Sequence, residues 1–347
     1  MNPLLYRVLF KLSGICRSLM PEYQYVILRD WIFDILMPKE RLYDQVRRYE
    51  QRYSSAFHTY LEGMDKGAKE QAMADLKRGL DPQSVQTIDR FLSFYGRIQK
   101  NPHLPHYERY DLSLKDDVAT ISKELSSIRG KLNPPPEMGL EYRMDCFYFQ
   151  SGLRHVPGSI RERCTKGKDA IDCGAFNGDT ALVFSKMTDA RKVYAFEPDK
   201  TNFSNLLATL KSYPMDNVVP LPYGVGEKSG TVFLHAEGPS SFVDQGSAEG
   251  DRIDIKDIDS FVKKEGAMPG VIKMDIEGYE INAIRGALKT IKKHRPVLLI
   301  AIYHSPHDFF EIKPLLEKTV SGYRFMVRHL VFSHAAFETF LIAYPES

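Results

Sequence analysis

Two textures of hydrophobic and polar positions divide the chain. From Tyr23 to about Gly130, apolar residues recur at helical spacing among charged stretches, with almost no strand-type alternation. One helix there carries its own start signal: Asp81 as N-cap, Pro82 at the first helical position, then Val85, Ile88, Leu92 and Tyr95 on one face. A second is predicted from about Asp116, with Val118, Ile121, Leu125 and Ile128 inward and a stop at Gly130. Asn133-Pro134-Pro135-Pro136 cannot continue a helix, because proline lacks the N–H donor and clashes with the preceding turn. The domain boundary is placed there, giving a helical N-terminal domain over 1–133, a linker and entry segment over 134–164, and a second domain over 165–347.

In that second domain short apolar runs alternate with helical segments. Asp169–Cys173, Val193–Phe196, Val218–Leu221, Val271–Met274 and Val297–Ile302 read as buried strands, separated by helices such as Phe203, Leu206, Leu207, Leu210 and Ile281, Ile284, Leu288, Ile291. Alternating β and α units require a mostly parallel sheet covered on both faces, a doubly wound α/β (Rossmann-like) fold. Tyr323–Val327 and Thr339–Ala343 close the chain as two strands able to pair as a hairpin. Gly224 to His235 reads as a small inserted hairpin leading into a polar turn, Gly238–Phe242, of the kind that carries specificity.

Composition narrows the class. With 347 residues, 43% hydrophobic, the chain can build one large and one smaller unit, each with its own core. A formal net charge of +2 supplies no field for a polyanion, so nucleic acid is not an expected partner. Cys16, Cys146, Cys164 and Cys173 show no metal-ligand spacing, which fits a reducing, cytoplasmic setting. Arg7, Lys11 and Arg17 interrupt the apolar N-terminus before a signal or spanning segment builds up; Leu5, Val8, Leu9, Leu12 and Leu19 mark a helical face instead. The oligomeric state is not encoded in any pattern of this kind.

The chemistry concentrates at the predicted strand ends. The first strand runs into Asp172-Cys173-Gly174-Ala175-Phe176-Asn177-Gly178-Asp179-Thr180 and directly into a helix, with glycines at 174 and 178 letting backbone approach a ligand. Asp172 and Asp179 would repel a pyrophosphate but suit a ligand with a cationic ammonium and sulfonium, which points to S-adenosylmethionine rather than a dinucleotide. Glu197, in Phe196-Glu197-Pro198-Asp199 at the end of the second strand, is placed to accept from both ribose hydroxyls. Alternation sends Lys273 and Asp275 of Lys273-Met274-Asp275-Ile276-Glu277-Gly278-Tyr279-Glu280 to the same side of the fourth strand.

In this order and spacing, the turn from Asp172 to Thr180, Glu197-Pro198-Asp199 and Lys273-x-Asp275-x-Glu277-Gly278-x-Glu280 resemble the FkbM family of S-adenosylmethionine-dependent methyltransferases, as do Tyr303-His304, Arg328-His329 and Glu338-Thr339. The resemblance implies a seven-stranded methyltransferase sheet with its last strand antiparallel, and O-methylation of a hydroxyl on a sugar, glycan or natural product. It implies that Asp172, Gly174, Asn177 and Gly178 contact the methionine part of the cofactor, with Ala175, Asp179 and Thr180 in the same turn, Glu197 the ribose, and Asp275 the space beside the methyl. Cys173 and Phe176 depart from the family's usual aliphatic residue and asparagine, so Asn177 stands in for that asparagine only approximately.

Methyl transfer is an in-line displacement that gains from a general base beside the acceptor, and Asp275 and His304, both at strand ends, are the candidates. Neither His304 with His307 and Asp308, nor Asp275 with Glu277, has diagnostic metal spacing, so no metal is expected; Glu277 and Glu280 are expected instead at the start of the next helix, where its dipole favours negative charge. Two rival readings share the sheet: a nicotinamide-dependent oxidoreductase, which the absence of G-x-G-x-x-G disfavours, and a non-catalytic methyltransferase-like domain acting in assembly through the N-terminal helices.

Overall fold

A computed structural model describes residues 42–102, 113, 117–133, 144–237, 240–244, 251–332 and 334–346. The helical face anticipated over Leu5–Leu19, the stretch from Tyr23 to Arg41 and the proline run lie outside the described residues. The N-terminal region forms α1 (Leu42–Glu62), α2 (Lys66–Lys77), α3 (Pro82–Lys100) and α4 (Val118–Leu132). Asp81 caps α3 as its sequence predicts, the carboxylate accepting from Ser84 N at 3.0 Å with Pro82 at the first position. The buried face is Ser84, Thr87, Ile88, Phe91, Phe94, Tyr95 and Ile98, so Ile88 and Tyr95 point inward while Val85 and Leu92 are only half-buried at its border. Helix α4 passes Gly130 and ends at Leu132, where Asn133 takes the left-handed conformation (φ 41°) and its N–H bonds Arg129 O.

After one π-helical turn (Met144–Tyr148), a 3-10 stretch (Gln150–His155) and α5 (Gly158–Thr165), the α/β region begins. Its elements are β1 (Asp169–Cys173), α6 (Asp179–Met187), β2 (Val193–Phe196), α7 (Lys200–Ser212), β3 (Val218–Leu221), β4 (Gly224–Val225), β5 (Gly230–Glu237), β6 (Ser240–Asp244), β7 (Asp251–Lys256), α8 (Ile258–Glu265), β8 (Pro269–Met274), α9 (Glu280–Arg285), α10 (Leu288–His294), β9 (Val297–Ala301), α11 (Pro306–Thr319), β10 (Tyr323–His329) and β11 (Thr339–Pro345). Seven strands form the main sheet in the order β10-β11-β9-β8-β1-β2-β3. All its neighbours are parallel except β11, which runs antiparallel to both β9 and β10. Every residue of β1, β2, β8 and β9 is buried, the continuous apolar pattern of strands covered on both faces.

The insertion after β3 is larger than the small hairpin its sequence suggests: a second sheet, β4-β7-β5-β6. The polar turn contributes Ser240–Phe242 to β6, and β7 alternates polar and apolar from Arg252 to Lys256, with Ile253 and Ile255 buried against Val232. The two regions also do not keep separate cores. Phe57 and Phe91 of the N-terminal helices join the same hydrophobic cluster as the sheet residues, with Phe91 stacked on Phe309 of α11 at 4.4 Å between ring centroids. Polar ties reinforce the seam. Arg328 donates to Ser84 Oγ at 2.7 Å and lies 3.1 Å from Asp81, and His334, whose Nδ1 accepts from Ala336 and Phe337 N–H groups, presents Nε2 to Glu50 at 2.8 Å.

Candidate functional site

A cavity of about 290 Å³ opens at the carboxyl ends of β1, β2 and β8, where open α/β sheets place their ligands. One wall is the β1–α6 turn. Gly174 sits at φ +84°, and a Cβ there would stand 2.0 Å from Asp275 O, so the turn packs backbone to backbone on the end of β8. Phe176, also left-handed at φ 48°, directs its N–H to Glu197 Oε2 at 2.8 Å, and Glu197 Oε1 accepts from Asp199 N at 2.9 Å. Burial raises the Glu197 carboxyl to about 7, against the lowering effect of those two N–H donors. Asp179 opens α6, where the helix dipole favours its charge, and accepts from Thr180 N at 2.6 Å.

Of the eight residues predicted to meet a cofactor, Gly174, Asp179, Thr180 and Glu197 line this cavity. Asp172, Ala175, Asn177 and Gly178 do not; Gly178 is turned toward α7, where a Cβ would meet Leu206 at 2.8 Å. Asp172 is fully buried behind the turn with Lys273 Nζ 3.2 Å away. Burial raises its carboxyl to about 6 while Lys273 pulls it down. Lys273 in turn donates to Gly174 O at 2.7 Å and stands 4.0 Å from Asp275, so one buried ammonium ties the turn to the end of β8. Burial alone would neutralise Lys273, but Asp172 and Asp275 hold it charged. Phe176 and Lys273 also line the cavity. The sequence places Phe176 in the glycine turn and Lys273 in the fourth-strand motif without giving either a ligand contact.

The opposite wall is acidic and aromatic: Asp275, Glu277, Tyr279, Tyr303, Glu338 and Phe340. His304 is not on it. Its side chain is 1% exposed, with Nδ1 2.9 Å from Glu280 Oε1 and Nε2 3.6 Å from both Asp275 Oδ1 and Glu277 Oε2. Burial works against a charged imidazole here, but Glu280, Glu277 and Asp275 outweigh it and hold His304 up to about 10. A histidine so held carries its protons at neutral pH and has no lone pair for an acceptor. Glu280 opens α9 as expected, yet its carboxylate folds back to accept from Ile276 N (2.8 Å) and Gly278 N (2.9 Å) as well as facing His304. Glu277 precedes the helix, left-handed at φ 59°, and faces the cavity. Tyr53 of α1 donates to Glu277 Oε2 at 3.4 Å and sets its ring edgewise to His304. No spacing rule links Tyr53 to this site, and sequence reasoning missed it.

Residues 172–325 match the family model of the methyltransferase FkbM domain, which bears out the resemblance read from the motifs. The chain is 31% identical over 154 residues, 42% of its length, to the hexuronic acid methyltransferase AglP of Haloferax volcanii, and covers 60% of that protein. The crystal structure of an FkbM methyltransferase from Methylobacillus flagellatus superposes with a TM-score of 0.55 at 23% identity, covering 80% of this chain and 59% of that one. The chain thus spans about three fifths of the length of each. Among the described residues no helix is long and apolar enough to cross a membrane.

Proposed function

On the premise that residues 172–325 form an FkbM methyltransferase domain, we propose that the chain is an S-adenosylmethionine-dependent methyltransferase that O-methylates a hydroxyl of a sugar, glycan or natural product, working in the cytoplasm. The observation that carries this reading is a single cavity with Gly174, Asp179 and Glu197 on one wall and Asp275 on the other. Acidic walls suit a cationic ligand and disfavour a pyrophosphate. Glu197 has a hydrogen-bond donor on each oxygen yet is still pushed up to about 7, so the ribose hydroxyls of a cofactor would complete its solvation.

When bound, S-adenosylmethionine supplies an electrophilic methyl on a sulfonium. The chain's own part is alignment and proton handling. Gly174 and Asp179 bound the methionine portion, while Asp172 acts through Lys273, which fixes the carbonyl of Gly174. Asp275, 24% exposed and on the cavity wall, orients the acceptor hydroxyl and takes its proton. His304 positions Asp275 and Glu277 from behind and is not the base. A hexuronic acid, named for the Haloferax relative, offers both hydroxyls and a carboxylate. Asp275, Glu277 and Glu338 on the acceptor wall repel a carboxylate and favour a hydroxyl. Incubating the chain with methyl-labelled cofactor and neutral glycans, uronic-acid glycans and lipid-linked sugars tests this: label is expected as an ether stable to mild alkali. Label released by alkali as an ester, or none on any acceptor, contradicts it.

A further inference from the structure

We propose that the stretch Met144–Gly152, ahead of β1, is a strap along the cavity whose Asp145 carboxylate holds the ammonium on the amino-acid tail of the nucleoside, so that the site selects S-adenosylmethionine and S-adenosylhomocysteine over a thioadenosine without that tail. This deepens the cofactor reading given above and rests on it. No motif marks the stretch, which the sequence places in a linker. In the fold it supplies a third wall: Asp145, Cys146 and Ser151 border the same cavity as Gly174 and Asp179. Asp145 is 6% exposed and Ser151 4%, so neither is a solvated surface group. Burying a carboxylate costs free energy, and a cationic ligand in contact with it offsets that cost.

The backbone is shaped for this role. Met144–Tyr148 make one π-helical turn, with Phe149 N–H donating to Met144 O at 2.9 Å, a rare geometry that recurs at functional sites. Gln150, Ser151 and Gly152 follow in succession at φ 52°, 53° and 101°, a conformation strained for the two that carry side chains. Such strain persists only where packing enforces it. Here Phe147 and Leu153 are fully buried in the core, Phe149 O accepts from the N–H groups of Gly152 and Arg154, and a Cβ on Gly152 would meet Ile342 of β11 at 2.7 Å. Apolar anchors thus pin the strap while its polar residues border the cavity. Cys146 fixes its place, with Sγ 3.7 Å from Thr180 Oγ1, next to Asp179 at the end that bounds the methionine portion. Lys273, the one basic residue bordering the cavity among the described residues, is already held by Asp172, Asp275 and Gly174 O. An ammonium at this end therefore meets carboxylates from two elements, Asp179 at the start of α6 and Asp145 on the strap, and charge-assisted hydrogen bonds of this kind are the strong ones.

Calorimetric titration of the full chain with three nucleosides reads the contact: S-adenosylhomocysteine, its analogue with hydrogen in place of the amino group, and methylthioadenosine, which lacks the whole tail. Asp145→Asn is expected to weaken S-adenosylhomocysteine by about tenfold or more while leaving methylthioadenosine within about twofold, which also shows that the variant is folded. The unaltered chain is expected to bind the deaminated analogue about tenfold more weakly than S-adenosylhomocysteine, and Asp145→Asn to remove most of that difference. The comparison of ligands on the unaltered chain stands even where the variant does not fold: equal affinity for S-adenosylhomocysteine and the deaminated analogue overturns the proposal. An equal loss for all three nucleosides in Asp145→Asn, or no loss for any, overturns it as well while the cofactor reading stands. No binding of S-adenosylhomocysteine or methylthioadenosine by the unaltered chain overturns that reading and the proposal together.

Discussion

At the proposed cofactor end of the cavity Glu197 reaches Phe176 across 21 residues of chain, whereas at the proposed acceptor end Tyr53 reaches Glu277 across 224. The first contact is made within a pair of adjacent βα units, and its geometry follows from a strand end, a glycine turn and the next strand in register. The second requires a helix of the N-terminal region to lie over the end of β8, which the shared core of Phe57, Phe91 and Phe309 enforces. The first contact is therefore local in the chain and the second remote. The two ends meet at Gly174, whose neighbour in space is the carbonyl of Asp275.

Breaking that meeting point should have the largest effect. Gly174→Ala forces a Cβ to 2.0 Å from Asp275 O in a left-handed conformation, and is expected to cost about 2–4 kcal/mol of stability in urea unfolding and to weaken S-adenosylhomocysteine binding at least 100-fold. Binding within threefold of wild type would show that close backbone approach is not what joins the ends. Glu197→Gln keeps the shape but removes the charge, and calorimetry should show a loss of roughly 10–100-fold, the worth of hydrogen bonds to a charged group.

The pH dependence sharpens the same contrast with a smaller effect. Glu197 binds its proton more tightly folded, at about 7, than at its ordinary 4.5, so the ligand-free chain gains stability as pH falls through that window and loses it as pH rises. Ribose hydroxyls bind the ionised form, so nucleoside affinity runs the other way and should fall about tenfold between pH 8 and pH 6. Glu197→Gln should flatten that profile; an equally steep slope in the variant would assign the titration elsewhere. The smallest effect belongs to Tyr53→Phe. Losing a 3.4 Å bond to Glu277 should leave nucleoside binding within twofold and stability within about 1 kcal/mol; a large loss of nucleoside binding would mean that the ends are not separable.

Much of the fold was legible because period and punctuation agree. Asp169–Cys173, Val193–Phe196 and Val218–Leu221 are strands over the residues their apolar runs mark, and Asp81-Pro82 starts α3 where a capping residue followed by proline should. Gly130 misled because a glycine in a last turn weakens a helix without ending it, while Asn133 can adopt the left-handed cap. The second sheet was missed because its strands are short or half-polar, and the small buried face of Ile253 and Ile255 against Val232 gives little apolar periodicity. In the site, residue type predicted Asp179 and Glu197 on the cavity wall, but Asp172 turned out to be the counter-ion of Lys273, a pairing that depends on the β1–β8 register. His304, Glu280 and Glu277 come together only because β8 and β9 end side by side, and no spacing within either segment encodes it.

The measurement that bears most directly on the central claim, that residues from three strand ends build one nucleoside pocket for a cationic sulfur compound, is calorimetric titration of the unaltered chain with S-adenosylmethionine and, separately, with NAD at pH 8. The account predicts a single site of micromolar-range affinity for the first and no heat for the second. Heat with NAD and none with S-adenosylmethionine would contradict it.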